Sequence, residues 1–291
     1  MSERPQSVNF QRDSRTKAVL KRIDIPGATL SVNDIGQGSP ILFVHGFPLD
    51  RTMWREQVAD LSRDFRCVVP DLRGFGQSTV TAGKVTMERF ADDLGELLVA
   101  LQITEPVVLC GLSMGGYIAW QFARRHAARL RGLILCDTRA APDSSDAAAN
   151  RLRLADDVVS LGPEVVVKAM LPKLFAPGFK VREPLWIEEI RQVMLATNSH
   201  GIAAASRGMA ERADARPWLA TIECPALVLV GEQDVISPPA EMSEIASALP
   251  RSTFRVIPDA GHLAPLENPQ PVNEAIRTFL AATSFSTTTN E

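Results

Sequence analysis

Ser113 sits in the run "GLSMG" (111–115), with Gly111 two positions before it and Gly115 two after. An apolar run, "PVVLCG" (106–111), leads into it, and a helical pattern, "SMGGYIAWQFARRHAARL", leads out. Where a buried strand turns at once into a helix, the central residue is driven toward strained backbone angles. Its neighbours are pressed against adjacent strands, and glycine on both sides removes the side chains that would collide. The hydroxyl then projects from the carboxyl edge of the sheet, where open α/β folds hold their ligands. The N–H of Met114 opens the helix without an intrahelical partner, so it suits an anion. The pattern fits a nucleophile elbow; the competing reading is an ordinary helix cap.

A serine hydroxyl is a weak nucleophile at neutral pH and needs a base. The chain has four histidines. His126, in "ARRHAARL", falls near the end of the helix that Ser113 starts, and His200, in "NSHGI", has no strand to hold it. His45 ends the apolar run "ILFVHG" and His262 follows "FRVIPDAGH". Both belong at the carboxyl edge. His262 is the expected base, because the turn at Ala260-Gly261 brings it there after the last strand. His45 precedes Gly46-Phe47, and its expected task is to brace that loop.

An imidazole base needs a carboxylate to fix its tautomer and stabilise its cation. Asp234, in "LVLVGEQDVISPP", follows the seventh strand on the same edge and is the expected acid; Asp137 and Glu232 are the competitors. The order Ser113, Asp234, His262 along the chain suits the elbow fold. Acyl chemistry also needs donors for an oxyanion. Met114 N–H is one, and Phe47 N–H, in "HGFPLD", is the expected second, with Gly46 allowing close backbone approach.

These residues require a sheet to position them. Six short apolar runs, 41–46, 65–70, 106–111, 130–136, 225–231 and 253–258, are continuous rather than alternating. That is how strands covered on both faces of a parallel sheet read. Two earlier stretches, 17–25 and 28–36, alternate and meet at Pro26-Gly27, as in an edge hairpin. Helical patterns lie between, over 50–62 behind Asp50, over 86–102 behind Thr86, after Ser113, and in "PQPVNEAIRTFLAA". Alternation of strand and helix predicts an α/β fold with a mostly parallel, eight-stranded sheet.

The rhythm breaks between Cys136 and Pro225, where no strand pattern occurs. An interval that long is not a plain crossover. The expected organisation is a core of 17–138 and 216–282, an inserted helical cap over 139–215, and flexible termini at 1–16 and 283–291.

With these pieces in place, the chain resembles the α/β-hydrolase superfamily over almost its whole length. The residues that carry the resemblance are "HGFPLD" (45–50), "DLRGFGQS" (71–78), "GLSMGGY" (111–117), "VGEQDVISPP" (230–239) and "DAGHLAPLENP" (259–269). "DTRAAPD" (137–143) and "GMAERAD" (208–214) lean toward its capped esterase and 3-oxoadipate enol-lactonase-like branch. The resemblance implies Ser113 as nucleophile, His262 as base, Asp234 as acid, and Phe47 and Met114 as the oxyanion hole. Serine rather than aspartate at the elbow favours acyl transfer over dehalogenation or epoxide opening. The expected activity is cleavage of small carboxylic esters or lactones. The alternatives are carbon–carbon bond hydrolysis of ring-cleavage products, a cofactor-free perhydrolase or haloperoxidase reaction, and a non-catalytic ligand receptor.

Composition bounds the partners. Net charge is −3 with no basic stripe, which gives no footprint for nucleic acid. The polar start and the lack of a long apolar run predict a cytoplasmic protein without a membrane span. Cys67, Cys110, Cys136 and Cys224 form no CxxC pair and read as free thiols in or beside apolar runs. The expected partner is a small ester or lactone, and no metal or organic cofactor is expected.

Overall fold

The computed structural model describes residues 20–283. Eight strands form one sheet: β1 (Leu20–Ile25), β2 (Ala28–Ile35), β3 (Pro40–Val44), β4 (Arg66–Pro70), β5 (Val107–Leu112), β6 (Leu130–Cys136), β7 (Ala226–Gly231) and β8 (Ser252–Ile257). Their spatial order is β1-β2-β4-β3-β5-β6-β7-β8. β1 pairs with β2, and β2 with β4, antiparallel; every later pair is parallel. This is the mostly parallel, eight-stranded α/β sheet that the apolar runs predict, in the architecture that the resemblance to α/β-hydrolases implies. β3, β5 and β7 are buried at every position, as continuous apolar runs require, whereas β1 alternates like an edge strand. The expected beginning of the first strand at 17–19 and the expected tails at 1–16 and 284–291 lie outside the described residues. Thr283, expected to begin the tail, instead lies within a helix.

The core helices are α1 (Arg55–Leu61), α2 (Met87–Ala100) and α3 (Met114–Arg125). The single helix expected over 50–62 is divided into a 3-10 turn, Arg51–Trp54, and α1. Asp50 caps that turn through Thr52 N–H at 2.8 Å, and Met53 and Trp54 plunge into the core. Thr86 caps α2 by accepting from Arg89 N–H at 3.2 Å. On α2, Phe90, Leu94, Leu97 and Leu98 are fully buried, the face that the 3.6-residue spacing requires.

Between β6 and β7 the chain runs through α4 (Ser145–Leu161), α5 (Glu164–Leu174), α6 (Pro177–Arg182), α7 (Pro184–Ala196) and α8 (Ser199–Ala210). Four of these coincide with helical patterns in the sequence, "NRLRLADDVVSLG", "PEVVVKAMLPKLFA", "EPLWIEEIRQVMLAT" and "GIAAASRGMAERA". The short α6 is set by Pro177 at its first turn and has no periodicity to announce it. The two ends of the insertion meet, since Ala215 N–H donates to the Ala140 carbonyl at 2.9 Å. α9 (Pro239–Ala248) precedes β8, and α10 (Ala264–Glu267) and α11 (Pro269–Thr283) close the chain. The four cysteines are free, three of them buried and Cys224 partly so. No described helix is long and apolar enough to cross a membrane.

Candidate active site

Ser113 joins β5 to α3 with no intervening residue, and its backbone has φ 55° and ψ −111°. Non-glycine residues rarely adopt positive φ, and one held there signals a conformation imposed by its surroundings. The surroundings are tight. A Cβ on Gly115 would lie 2.2 Å from the Val44 carbonyl oxygen, and one on Gly111 2.5 Å from the Gly115 carbonyl oxygen. Both obstacles are backbone, so neither can move aside. Thr138, after β6, fixes the turn from beneath by donating its hydroxyl to the Ser113 carbonyl at 2.7 Å.

The Ser113 side chain makes no capping bond to its own helix. Its Oγ instead lies 2.9 Å from His262 Nε2. His262 Nδ1 lies 2.8 Å from Asp234 Oδ2. The other oxygen of Asp234 accepts from Ile236 N–H at 2.7 Å and Ser237 N–H at 3.1 Å. Burial by itself would raise the Asp234 carboxyl. The His262 ring and those two amides outweigh it and hold the group below the ordinary carboxylate range. An ionised Asp234 therefore accepts from Nδ1–H, which leaves Nε2 unprotonated and able to take the Ser113 proton. Hydroxyl, imidazole and carboxylate, residues drawn from three loops, form one line at the carboxyl edge of the sheet.

The rival acids do not join that line. Asp137 follows β6, fully buried; its Oδ1 accepts from Gly231 N–H at 2.7 Å, and its Oδ2 has no hydrogen-bond partner. Burial, reinforced by the negative Asp234, pushes the Asp137 carboxyl well above its ordinary value. Glu232 is exposed, and its Oε2 accepts from Asp259 N–H at 3.3 Å.

The other histidines are occupied elsewhere. His45 is fully buried and kept neutral by burial. Its Nε2 accepts from Leu72 N–H at 3.0 Å, so its proton is on Nδ1, which donates to the Gly46 carbonyl at 3.0 Å. That ties the loop after β3 to the loop after β4. His126 contacts Asp92 at 3.0 Å, and His200 is exposed on α8.

The loop braced by His45 adjoins Ser113: a Cβ on Gly46 would stand 3.6 Å from the Ser113 Cβ. Phe47 follows, buried, with a cis bond to Pro48. Among the described residues, neither Phe47 N–H nor Met114 N–H has a hydrogen-bond partner. Two free donors thus belong to the segments that meet at the hydroxyl. Among the described residues there is also no cluster of three or more His, Cys, Asp or Glu side chains able to hold a metal ion.

A family model described as the alpha/beta hydrolase fold matches residues 39–269. The chain belongs to the alpha/beta hydrolase family. This hydrolase is 50% identical to a thermophilic esterase from Thermogutta terrifontis, with a TM-score of 0.90 over 92% of this chain and 100% of that one. It is similar to the enol-lactonase from Burkholderia xenovorans, at 31% identity and TM-score 0.83, covering 88% of this chain and 98% of the other. It is also 31% identical to 3-oxoadipate enol-lactonase 1 of Acinetobacter baylyi, over 84% of this chain and 90% of that protein. The esterase and enol-lactonase branch that the motifs resemble is thus the branch of these relatives.

Sequence reasoning missed two residues that organise the site of this hydrolase. Thr138 sits in "DTRAAPD" as one small polar residue among several, with no spacing rule to single it out. Glu267 is more legible in retrospect, as a lone charge in "AGHLAPLENP", five residues after His262.

Proposed function

We propose that this hydrolase cleaves small carboxylic esters or lactones through an acyl-enzyme on Ser113. The observation that carries the reading is the unbroken line from Ser113 Oγ through His262 to Asp234, at 2.9 Å and 2.8 Å. Its esterase and enol-lactonase relatives support the substrate class.

Ser113 Oγ attacks the ester carbonyl while His262 Nε2 takes its proton. Asp234 stabilises the imidazolium that forms. The carbonyl oxygen, now an anion, accepts from Phe47 N–H and Met114 N–H; loss of one such donor typically costs ~3–4 kcal/mol of barrier. His262 returns the proton to the leaving alcohol, or to the enol or alcohol oxygen of an opened lactone. Water then attacks the acyl group, again with His262 as base, and Ser113 is released. The chemistry uses no metal and no organic cofactor. The helices α4–α8 serve as a cap over 139–215 that selects the acyl group.

The test is Ser113→Ala on a panel of p-nitrophenyl esters and enol-lactones, with a fluorophosphonate label in parallel. The expected result is labelling of wild type at Ser113 and loss of about 10⁴-fold or more in kcat in the variant. Undiminished turnover by Ser113→Ala overturns the reading.

A further inference from the structure

Glu267 ends α10 and is 7% exposed. Its carboxylate accepts three backbone N–H groups. Oε1 receives Gly261 at 2.9 Å and Leu263 at 3.2 Å, the residues on either side of His262. Oε2 receives Ala176 at 2.7 Å, which belongs to the inserted helices. The same two segments touch elsewhere: Leu263 N–H also reaches the Leu174 carbonyl at 3.2 Å. A Cβ on Gly261 would lie 2.6 Å from Ala176 N, so only glycine lets the backbones meet this closely. Among the described residues no lysine or arginine pairs with Glu267. A buried carboxylate solvated by amides alone has been placed to hold those amides.

We propose that Glu267 is a positioning residue that fixes the turn carrying His262 and locks it to segment 174–176 of the insertion. Seating of the insertion and alignment of the base thereby become one event. This rests on the reading of His262 as the base for Ser113. Asp234 sets the ring through Nδ1, but only the backbone on either side of His262 sets where the ring begins. A displacement of about 1 Å there costs on the order of 100-fold in rate. Glutamine in place of Glu267 keeps one acceptor oxygen and turns an NH₂ toward an N–H donor, so one arm of the clamp is lost whichever way the amide faces.

The clamp also responds to pH. Burial pushes the Glu267 carboxyl up to about 7 against the pull of its three amides and of His262. Protonation removes the charge from all three bonds and turns one acceptor oxygen into a hydroxyl, which weakens the clamp. The titratable groups that act on Glu267 are His262 in its own turn and Asp137 after β6. α1 and α11 meet this region through neutral Gln57, which donates to the Pro265 carbonyl at 2.8 Å and Asn273 Oδ1 at 3.1 Å. Arg51, in the turn before α1, is engaged by Asp71.

The experiment compares wild type, Glu267→Gln and Ser113→Ala as full chains, using p-nitrophenyl acetate from pH 5.5 to 8.5. Active sites are counted by fluorophosphonate labelling, and melting is followed in parallel. At pH 8.5 Glu267→Gln is expected to lose about 10- to 100-fold in kcat per labelled site. The ratio of wild type to variant is expected to shrink toward one below pH 7, where wild type has itself lost the carboxylate. A lower melting temperature with kcat per site unchanged, or a ratio that ignores pH, overturns the positioning role.

If the variant does not fold, hydrogen exchange in wild type decides. Protection of the Gly261, Leu263 and Ala176 amides, corrected for intrinsic rates, is expected to fall together between pH 8 and 6, and constant protection overturns the proposal. Wild type that resists labelling, or active Ser113→Ala, overturns the Ser113 reading and this inference with it. Normal labelling and an inactive Ser113→Ala beside a wild-type-like Glu267→Gln overturn this inference alone.

Discussion

Replacing Ser113 by glycine is expected to give a more stable protein than replacing it by alanine, the reverse of the usual order within strands and helices. Both variants lack the hydroxyl, so both lose the 2.9 Å contact with His262, and that loss cancels in the comparison. What differs is the backbone. Ser113 holds φ 55° and ψ −111°, outside even the left-handed helical well, and alanine inherits that strain. Such a conformation costs on the order of 1–3 kcal/mol for a residue with a Cβ. Glycine escapes it but gives up about 0.5–1 kcal/mol to the greater freedom of its unfolded chain. The difference leaves Ser113→Gly ahead by about 1 kcal/mol. For a chain of this size that is about 2–4 °C in melting temperature. The assay is thermal melting and urea unfolding of both variants, with p-nitrophenyl acetate turnover to verify that both are inactive. A Ser113→Ala variant that melts at or above Ser113→Gly would refute the claim that the fold holds this residue under strain.

Two further substitutions separate neighbouring groups by role. Asp234→Asn is expected to lower kcat by about 10⁴-fold through loss of the charge that orients His262, whereas Asp137→Asn leaves kcat near wild type, as steady-state kinetics on both variants will show. Asp137 is raised by burial, so its contribution to stability is fully present below the ordinary carboxyl range and is lost as pH rises from there. The stability of Asp137→Asn relative to wild type should therefore grow between pH 4 and pH 8 in urea titrations, and a gap that stays flat would refute the upward shift. Arg73 donates to Asp93 through Nε at 2.8 Å and Nη2 at 2.6 Å, and both side chains are almost fully buried. Arg73→Met strands that carboxylate with only the half-exposed Arg89, so a loss of about 3 kcal/mol in urea unfolding is expected; less than 1 kcal/mol would show the pair to be dispensable.

The sheet was legible because its signal is local. A strand covered on both faces must be apolar along its length, and β3 to β7 begin and end within about two residues of the runs that announce them; β8, read from its run as covered too, is instead an edge strand with only Ile257 buried. The residues of the Ser113–His262–Asp234 line were legible for a related reason: each stands at the carboxyl end of such a run or just beyond it. What escaped were roles created by tertiary contact. α6 owes its one and a half turns to Pro177 rather than to periodicity. The division of 50–62 into a 3-10 turn and a helix follows from the demand to bury Met53 and Trp54 together. Glu267 acts on backbone amides from two segments about ninety residues apart, a separation of 91 for Ala176, and no spacing rule in one sequence encodes that. Asp137 and Asp234 look equivalent in sequence, each an aspartate after a strand. Only the placement of His262 and the amides of Ile236 and Ser237 tells them apart.

The meeting of Ala140 and Ala215 at the root of the insertion carries a consequence for how such a protein can change. The chain departs and returns through a single doorway, so a segment of another length or ancestry can be spliced there without parting the strands beneath. Joining ends already in contact adds little entropic cost, since that cost grows only slowly with the length of what lies between. Chimeras exchanged at that doorway should therefore fold, and their range of acyl groups should follow the donor of the splice while the hydrolytic chemistry follows the recipient. One condition travels with the exchange. The incoming segment must still offer a backbone N–H where Ala176 now stands, because the carboxylate waiting there belongs to the recipient.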